Sequence, residues 1–155
     1  MAQYFFDTSA IVKYYHAEVG TPTVSAIFAE SGRTIRISNL GFLEIQSAFA
    51  MKVRSGVLRE EAAGMLWAKL LLDIAAGEIE IYKISDDHFA TAQRLIEQHG
   101  FGKRLRTLDA PQLALALDLA DQSLLDYFVA ADASLAEVAA IEGLKIISPE
   151  RPQRP

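Results

Sequence analysis

Four acidic residues, spread along the chain, have the types and settings needed for chemistry on a charged substrate. Asp7 and Asp132 each follow a short apolar segment and precede a helix-like pattern. Asp109 opens another helix-like segment, and Glu44 lies inside a fourth. Carboxylates that meet in one place bind divalent cations. Taken singly, each Asp is more simply explained as a helix N-cap.

The setting of Glu44 is harder to explain without a bound cation. Its neighbours three and four residues away carry no positive charge: Leu40, Gly41, Ser47 and Ala48. A carboxylate buried on such a face is costly unless something positive meets it, and an exposed Glu44 is the alternative. A divalent metal site would explain all four acids together. Oxygen ligands favour Mg²⁺ or Mn²⁺ over zinc, because the chain has no cysteine and its histidines are scattered.

The hydrophobic pattern predicts the elements that must position these acids. We expect strands near residues 4–6, 34–37, 79–84, 124–130 and 144–147. We expect helices near residues 10–15, 22–31, 40–54, 59–76, 85–99, 109–121 and 133–142. Strands separated by helices, with no hairpin signals, indicate an α/β protein whose parallel sheet of about five strands is covered on both faces. Since parallel strands end at the same edge, Asp7 and Asp132 are expected to share that edge.

Length and composition place further limits on function. The 155 residues suit one domain, predicted at 1–150, with a mobile Pro- and Arg-rich tail at 151–155. The net charge is −5, so binding to nucleic acid would need a local basic patch, a metal ion or a partner. No leader pattern or bilayer-length apolar run is visible, so we expect a cytoplasmic protein that does not enter membranes.

Four segments together resemble a known family. Residues 7–15 (DTSAIVKYY) resemble the opening of PIN-domain nucleases, especially the VapC-type toxins of bacterial and archaeal toxin–antitoxin pairs. Residues 43–45 and 106–114 resemble the second and third acidic motifs of that family. Residues 128–136, followed by 143–149, resemble its closing motif, although Ala131 stands where a hydroxyl residue often precedes the last acid.

The resemblance implies a fold, an activity and partners. The fold would be a PIN-like three-layer α/β/α arrangement with a central, mostly parallel sheet. The activity would be that of a toxin endoribonuclease that hydrolyses RNA with one or two Mg²⁺ or Mn²⁺ ions. By the same resemblance, the catalytic metal ligands would be Asp7, Glu44, Asp109 and Asp132. Such toxins usually form homodimers, and a cognate antitoxin covers the site.

Other residues are expected to support this site. Ser9 would donate to Asp7 or to a bound ligand, with helix capping as an equal alternative. Asp126 is expected either to support the metal ligands or to lie on the surface. RNA phosphates would be contacted by basic side chains: Lys13, Lys103, Arg104 and Arg106. The alternatives for these are a surface lysine and a solvated loop.

Two other functions remain open from the sequence. An Asp-nucleophile phosphatase would use Asp7, but the common form of that motif has a second Asp where this chain has Ser9. A non-catalytic PIN-like module for binding or assembly is the second alternative. The complete set of four acids argues against it.

Overall fold

Five strands alternate with helices in the computed structural model, which describes residues 1–151. The strands are β1 (Gln3–Phe6), β2 (Thr34–Ser38), β3 (Glu80–Tyr82), β4 (Tyr127–Val129) and β5 (Ile146–Ile147). The helices are α1 (Thr8–Tyr15), α2 (Thr21–Ala29), α3 (Asn39–Arg54), α4 (Glu60–Ala75), α5 (Asp86–His99), α6 (Asp109–Asp121) and α7 (Ala133–Ile141). The predicted elements are all present, and β3, β4 and β5 are shorter than expected. Apart from its first residue, the predicted mobile tail lies outside the described residues. Within them, no helix has the length and apolar character needed to cross a bilayer.

The five strands form one parallel sheet in the order β3-β2-β1-β4-β5. β1 lies at the centre, where Tyr4 pairs with Ile35 on one side and with Tyr127 on the other. The chain moves outward from β1 through β2 to β3, then crosses to β4 on the opposite side of β1. Ligand crevices in such sheets form at the carboxyl ends of the strands where the order reverses. That position lies between the ends of β1 and β4.

The aromatic residues of β1 fill both faces of the sheet. Tyr4 and Phe6 point into a core that also contains residues of α1, α2, α3 and α4. Phe5 points into a second core, shared with α5, α6 and α7, and its ring stacks on Phe128 with centroids 5.8 Å apart. Alternation along a strand sends successive side chains to opposite faces, which explains this division. The predicted three-layer α/β/α architecture is confirmed.

Candidate functional site

The four predicted acids come from four different parts of the fold and meet at the carboxyl edge of the sheet. Asp7 follows β1, and Asp132 follows β4. Glu44 lies in α3, which follows β2, and Asp109 is the first residue of α6. Asp7 and Asp132 also cap α1 and α7, so the capping and clustering explanations both hold for them.

Asp7 is buried at the start of α1, with 4% of its surface exposed. Its carboxylate accepts hydrogen bonds from the backbone N–H of Ser9, at 3.1 Å, and from the Ser9 hydroxyl. The predicted contact between Ser9 and Asp7 is therefore present. These bonds fix the orientation of the carboxylate relative to α1.

The Ser9 hydroxyl also connects the two ends of the site. It accepts hydrogen bonds from the backbone N–H groups of Ala131 and Asp132, at 3.0 and 3.2 Å. The turn after β4 is thus tied to the turn after β1 by one side chain. Ala131 has no hydroxyl of its own, and Ser9 supplies one from across the sheet edge.

Glu44 is half-buried and is held by neutral donors. Its Oε1 atom accepts from the Thr8 hydroxyl, at 3.1 Å, and from the Gln112 amide. Gln112 is fully buried, and its Oε1 atom accepts from the Ser38 hydroxyl at 3.0 Å. Glu44 makes no ion pair with any described residue. As expected from its neighbours on the helix, Glu44 therefore has no positively charged partner among the described residues.

Thr8 and Gln112, which had no predicted role, are the two donors to Glu44. Both lie close in sequence to a predicted acid: Thr8 directly follows Asp7, and Gln112 lies one helical turn after Asp109, on the same face of α6. This nearness does not reveal their bonds to Glu44, because Glu44 lies 36 residues from Thr8 and 68 residues from Gln112.

Arg106 lies between the remaining two acids. Its Nε atom donates to Oδ2 of Asp109 at 3.1 Å, and Nη2 donates to Oδ2 of Asp132 at 3.2 Å. Asp109 is 5% exposed, whereas the Arg106 side chain is 61% exposed. Arg106 was predicted to contact RNA, and the structure places it within the acid cluster.

Burial dominates the electrostatics of the cluster. Desolvation raises the pKa of Asp7 to about 6, and the nearby charges of Asp109 and Glu44 add to that rise. Desolvation likewise raises the pKa of Glu44 and the pKa of Asp109. Hydrogen bonds from Ser9 to Asp7, and from Gln112 and Thr8 to Glu44, act in the opposite direction. Asp7 and Glu44 therefore have no cation paired with them among the described residues, whereas Arg106 offsets part of the charge of Asp109 and Asp132.

The donor set fits a hard divalent cation in type and charge, since it consists of carboxylate oxygens. The spacing differs: among residues 1–151, no three acidic or histidine side chains are arranged to hold a metal ion together. The guanidinium of Arg106 bridges two of these acids, Asp109 and Asp132.

Asp126 is exposed and lies away from the four acids, in agreement with the surface position that was the second of its two predicted settings. It directly precedes β4, and its Oδ2 atom accepts from the backbone N–H of Gln3, at the start of β1. Asp126 and Asp132 therefore lie at opposite ends of the same strand.

The other predicted RNA contacts differ in how available they are. Lys13 is buried, and its ammonium pairs with Glu18 at 3.1 Å and with Glu150 at 2.6 Å, so its charge is already used. Lys103 pairs with Glu137. Arg104 is exposed and makes no ion pair with another described residue. Only Arg106 among these four contacts the acids.

Comparison with known proteins identifies the fold. A family model described as "PIN domain" matches residues 4–141, which include all four acids. A search of curated proteins gave no match.

Three solved structures are similar to this chain. VapC20 of Mycobacterium tuberculosis, described as a sarcin-ricin loop cleaving toxin, has a TM-score of 0.65 at 16% identity, covering 94% of this chain and 99% of that one. VapBC2 from Rickettsia felis, bound to a promoter DNA fragment, has a TM-score of 0.62 at 17% identity, covering 94% and 98%. DNA-bound VapBC from Salmonella typhimurium has a TM-score of 0.64 at 14% identity, covering 96% and 99%. At these identities the likeness shows the shared fold.

Proposed function

The chain belongs to the PIN-domain family, and we propose that it is a metal-dependent endoribonuclease, the toxin component of a toxin–antitoxin pair. The observation that carries this proposal is the convergence of Asp7, Glu44, Asp109 and Asp132 at one edge of the sheet. Structural neighbours support the choice of RNA as substrate, since one of them is described as a toxin that cleaves the sarcin-ricin loop.

The four acids would hold Mg²⁺ or Mn²⁺. A divalent cation bound there would lower the pKa of an attacking water and offset the negative charge of the scissile phosphate. Asp7 and Glu44 are suited to this role because Ser9, Thr8 and Gln112 already fix their carboxylates. Ligands oriented in advance lose less conformational freedom on binding.

The protein's own charges control how RNA approaches. Unneutralised, the acid cluster repels a phosphate backbone, and the whole chain is acidic. Arg104 and Arg106, both exposed in the loop before α6, offer positive charge next to the cluster. We therefore expect RNA binding to depend on this loop and to weaken as salt concentration rises. Lys13 is less suited to this role than the exposed Arg106, because it is buried as well as paired with Glu18 and Glu150.

An antitoxin is the proposed protein partner, and a homodimer is the proposed assembly. Two of the neighbours are described as VapBC structures bound to DNA. Helices α3 and α4 carry apolar side chains that are each more than half exposed: Leu43, Met51, Met65 and Leu72. Exposed apolar surface of this kind is what a protein partner covers.

The proposal is tested by incubating the protein with a mixture of structured RNAs and Mn²⁺, with and without EDTA. We expect cleavage that EDTA abolishes and that Asp7→Asn and Glu44→Gln both eliminate. Each variant removes one negative charge and almost no volume, so both should remain folded. Asp126→Asn is the matched control, because it removes an equivalent charge at the opposite edge of the sheet, and it should cleave at the wild-type rate.

Three results would contradict the proposal. Full cleavage by Asp7→Asn would remove that residue from the site. Cleavage that is insensitive to EDTA would show that the reaction needs no divalent metal ion. Wild-type protein that binds RNA but does not cut it in Mn²⁺ would favour the non-catalytic binding module, the alternative that agrees with the spacing of the acids seen here.

A further inference from the structure

The Gln112 side chain, on α6, is a fully buried polar group whose contacts fix its orientation. Its amide nitrogen donates to the backbone carbonyl of Leu108 at 3.3 Å and to the carboxylate of Glu44. Its amide oxygen accepts from the Ser38 hydroxyl at 3.0 Å. If the amide turned over, its oxygen would face two other acceptors, and both would lose this donor. The surroundings therefore allow one orientation, with the amide nitrogen toward Glu44.

Ser38 supports this orientation from the end of β2, where it is fully buried. Its hydroxyl oxygen caps α3 by accepting from the backbone N–H of Gly41 at 2.7 Å. That contact fixes the oxygen and leaves the hydroxyl proton free to be donated to Gln112. The hydrogen bonds therefore run in one direction, from Gly41 through Ser38 and Gln112 to Glu44. Among residues 1–151, Ser38 makes no hydrogen bond to an acidic side chain.

The packing around Gly41 holds the same polar groups together. A Cβ atom at this position would lie 3.1 Å from the Gln112 amide oxygen, 3.2 Å from Oγ of Ser38 and 3.7 Å from Oγ1 of Thr8. Glycine is less favourable than alanine inside a helix. The close approach of these oxygens gives a physical reason for a glycine in the first turn of α3. The hydrogen bonds and the packing thus agree on one fixed arrangement beside Glu44.

We propose that Ser38 is a positioning residue of the site: its hydroxyl orients the Gln112 amide, and through that amide it holds the Glu44 carboxylate in place. This inference rests on the proposed function, in which Glu44 takes part in RNA cleavage. The alternative is that Ser38 only caps α3. A cap alone would affect the stability of the helix, whereas the proposed role also makes the environment of Glu44 depend on Ser38 by way of Gln112.

The first measurement follows Glu44 in EDTA at pH 8, in protein labelled with ¹³C at the side-chain carboxyl of glutamate. Its signal is assigned from its absence in Glu44→Gln. We expect Ser38→Ala to shift this signal, because the Gln112 amide loses the donor that orients it. Ser85→Ala is the matched control: it removes the hydroxyl at the N-cap of α5 and should leave the signal unmoved. Ser38→Cys keeps the volume but donates weakly, and it replaces Ser38→Ala if circular dichroism shows that variant to be unfolded.

The second measurement is a double-mutant cycle with Ser38→Ala, Gln112→Leu and the combined variant. Ser38→Ala should lower kcat for RNA about three- to tenfold with little change in KM, because a misplaced carboxylate affects the reaction more than the binding of RNA. In the Gln112→Leu background the same substitution should change kcat less than about twofold and should not shift the Glu44 signal further, because its effect passes through Gln112. The free energy of unfolding should fall in both backgrounds, since α3 loses its cap in each.

The outcomes separate this inference from the proposed function. A wild type that cuts RNA, with an unmoved Glu44 signal in folded Ser38→Ala or with equal losses of kcat in both backgrounds, overturns the role of Ser38 and leaves the nuclease standing. An equal shift of the signal in Ser85→Ala reduces the effect to the loss of a helix cap and also overturns it. A folded wild type that does not cut RNA overturns the proposed function, whereas the carboxyl signal still decides whether Ser38 positions Glu44.

Discussion

Replacing Asp7 with Asn should stabilise the metal-free protein at neutral and alkaline pH. The Asp7 carboxylate is 4% exposed, and burial raises its pKa from 3.8 to about 6. Each unit of pKa change corresponds to about 1.36 kcal/mol, so the ionised carboxylate costs about 3 kcal/mol of folding free energy. Asn is uncharged, and its carbonyl oxygen can still accept from the Ser9 N–H. We expect a gain of about 1–3 kcal/mol at pH 8.

The sign of the pH dependence follows from the direction of this shift. A raised pKa means that the folded state holds the Asp7 proton more tightly than the unfolded state does. The wild type is stabilised by this tighter proton binding at low pH, and it loses that stabilisation as pH rises from about 4 through about 6. Asp7→Asn has no carboxyl at this position, so its stability does not change for this reason. The advantage of the variant should be large at pH 8 and nearly absent at pH 4.

Urea unfolding in EDTA, at pH 4, 6 and 8, measures this difference. Asp126→Asn is the control, because Asp126 is exposed and its carboxylate also accepts one backbone N–H. That variant should change stability by less than about 0.5 kcal/mol at every pH. Adding Mn²⁺ should make the wild type more stable than Asp7→Asn, because a cation stabilises only the protein that binds it. An Asp7→Asn variant that is less stable than wild type at pH 8 would refute the argument from burial.

Three further predictions concern the residues around the site. Gly41→Ala would place a methyl group 3.1 Å from the Gln112 amide oxygen, so it should lower RNA cleavage and gain no stability. Gly64→Ala is the control: it lies in open space on α4 and should gain up to about 1 kcal/mol in urea unfolding. Gln112→Leu removes a donor to Glu44, so it should weaken Mn²⁺ binding or cleavage about 10- to 100-fold, as measured by calorimetry and RNA digestion. Tyr15→Phe removes a hydroxyl bond to α4 and should cost about 1–2 kcal/mol on unfolding, without changing the cleavage rate.

Each of these has an outcome that would count against it. Equal gains from the two glycine substitutions would mean that the Ser38–Gln112 network tolerates a methyl group. Unchanged metal affinity and cleavage in Gln112→Leu would leave Gln112 as a core residue only. Slower cleavage by Tyr15→Phe, at unchanged stability, would mean that α1 and α4 influence the site directly.

The fold followed from local patterns because each pattern has a physical cause. The three aromatic residues of β1 predicted a strand buried on both faces, and they fill both cores. Asp7 and Asp132 were expected at one edge because parallel strands end together, and the sheet is parallel throughout. Strand ends were less predictable: β4 is shorter than its apolar segment, because pairing with neighbouring strands sets its length.

The charged residues of the site were harder to predict. Lys13 carries the same charge as Arg106, yet one is locked by Glu150, which lies 137 residues away, and the other reaches the acids. The pairs Arg106–Asp109 and Lys13–Glu18 are close in sequence, but no local pattern contains the contacts from Lys13 to Glu150 or from Arg106 to Asp132, because those partners meet only in the folded chain. For the same reason the bond from Gln112 to Glu44 was missed, although the helix face of Glu44 already indicated that it needed a partner.

The Ser9 hydroxyl has a consequence for when the site forms during synthesis. It joins β1 to the turn after β4 by bonding to the amide of Asp132, which lies 123 residues later in the chain. Before β4 and the turn after it have been synthesised, β1 cannot pair with β4 and Asp132 is absent. The four acids therefore cannot come together until β4 has been synthesised and has paired with β1.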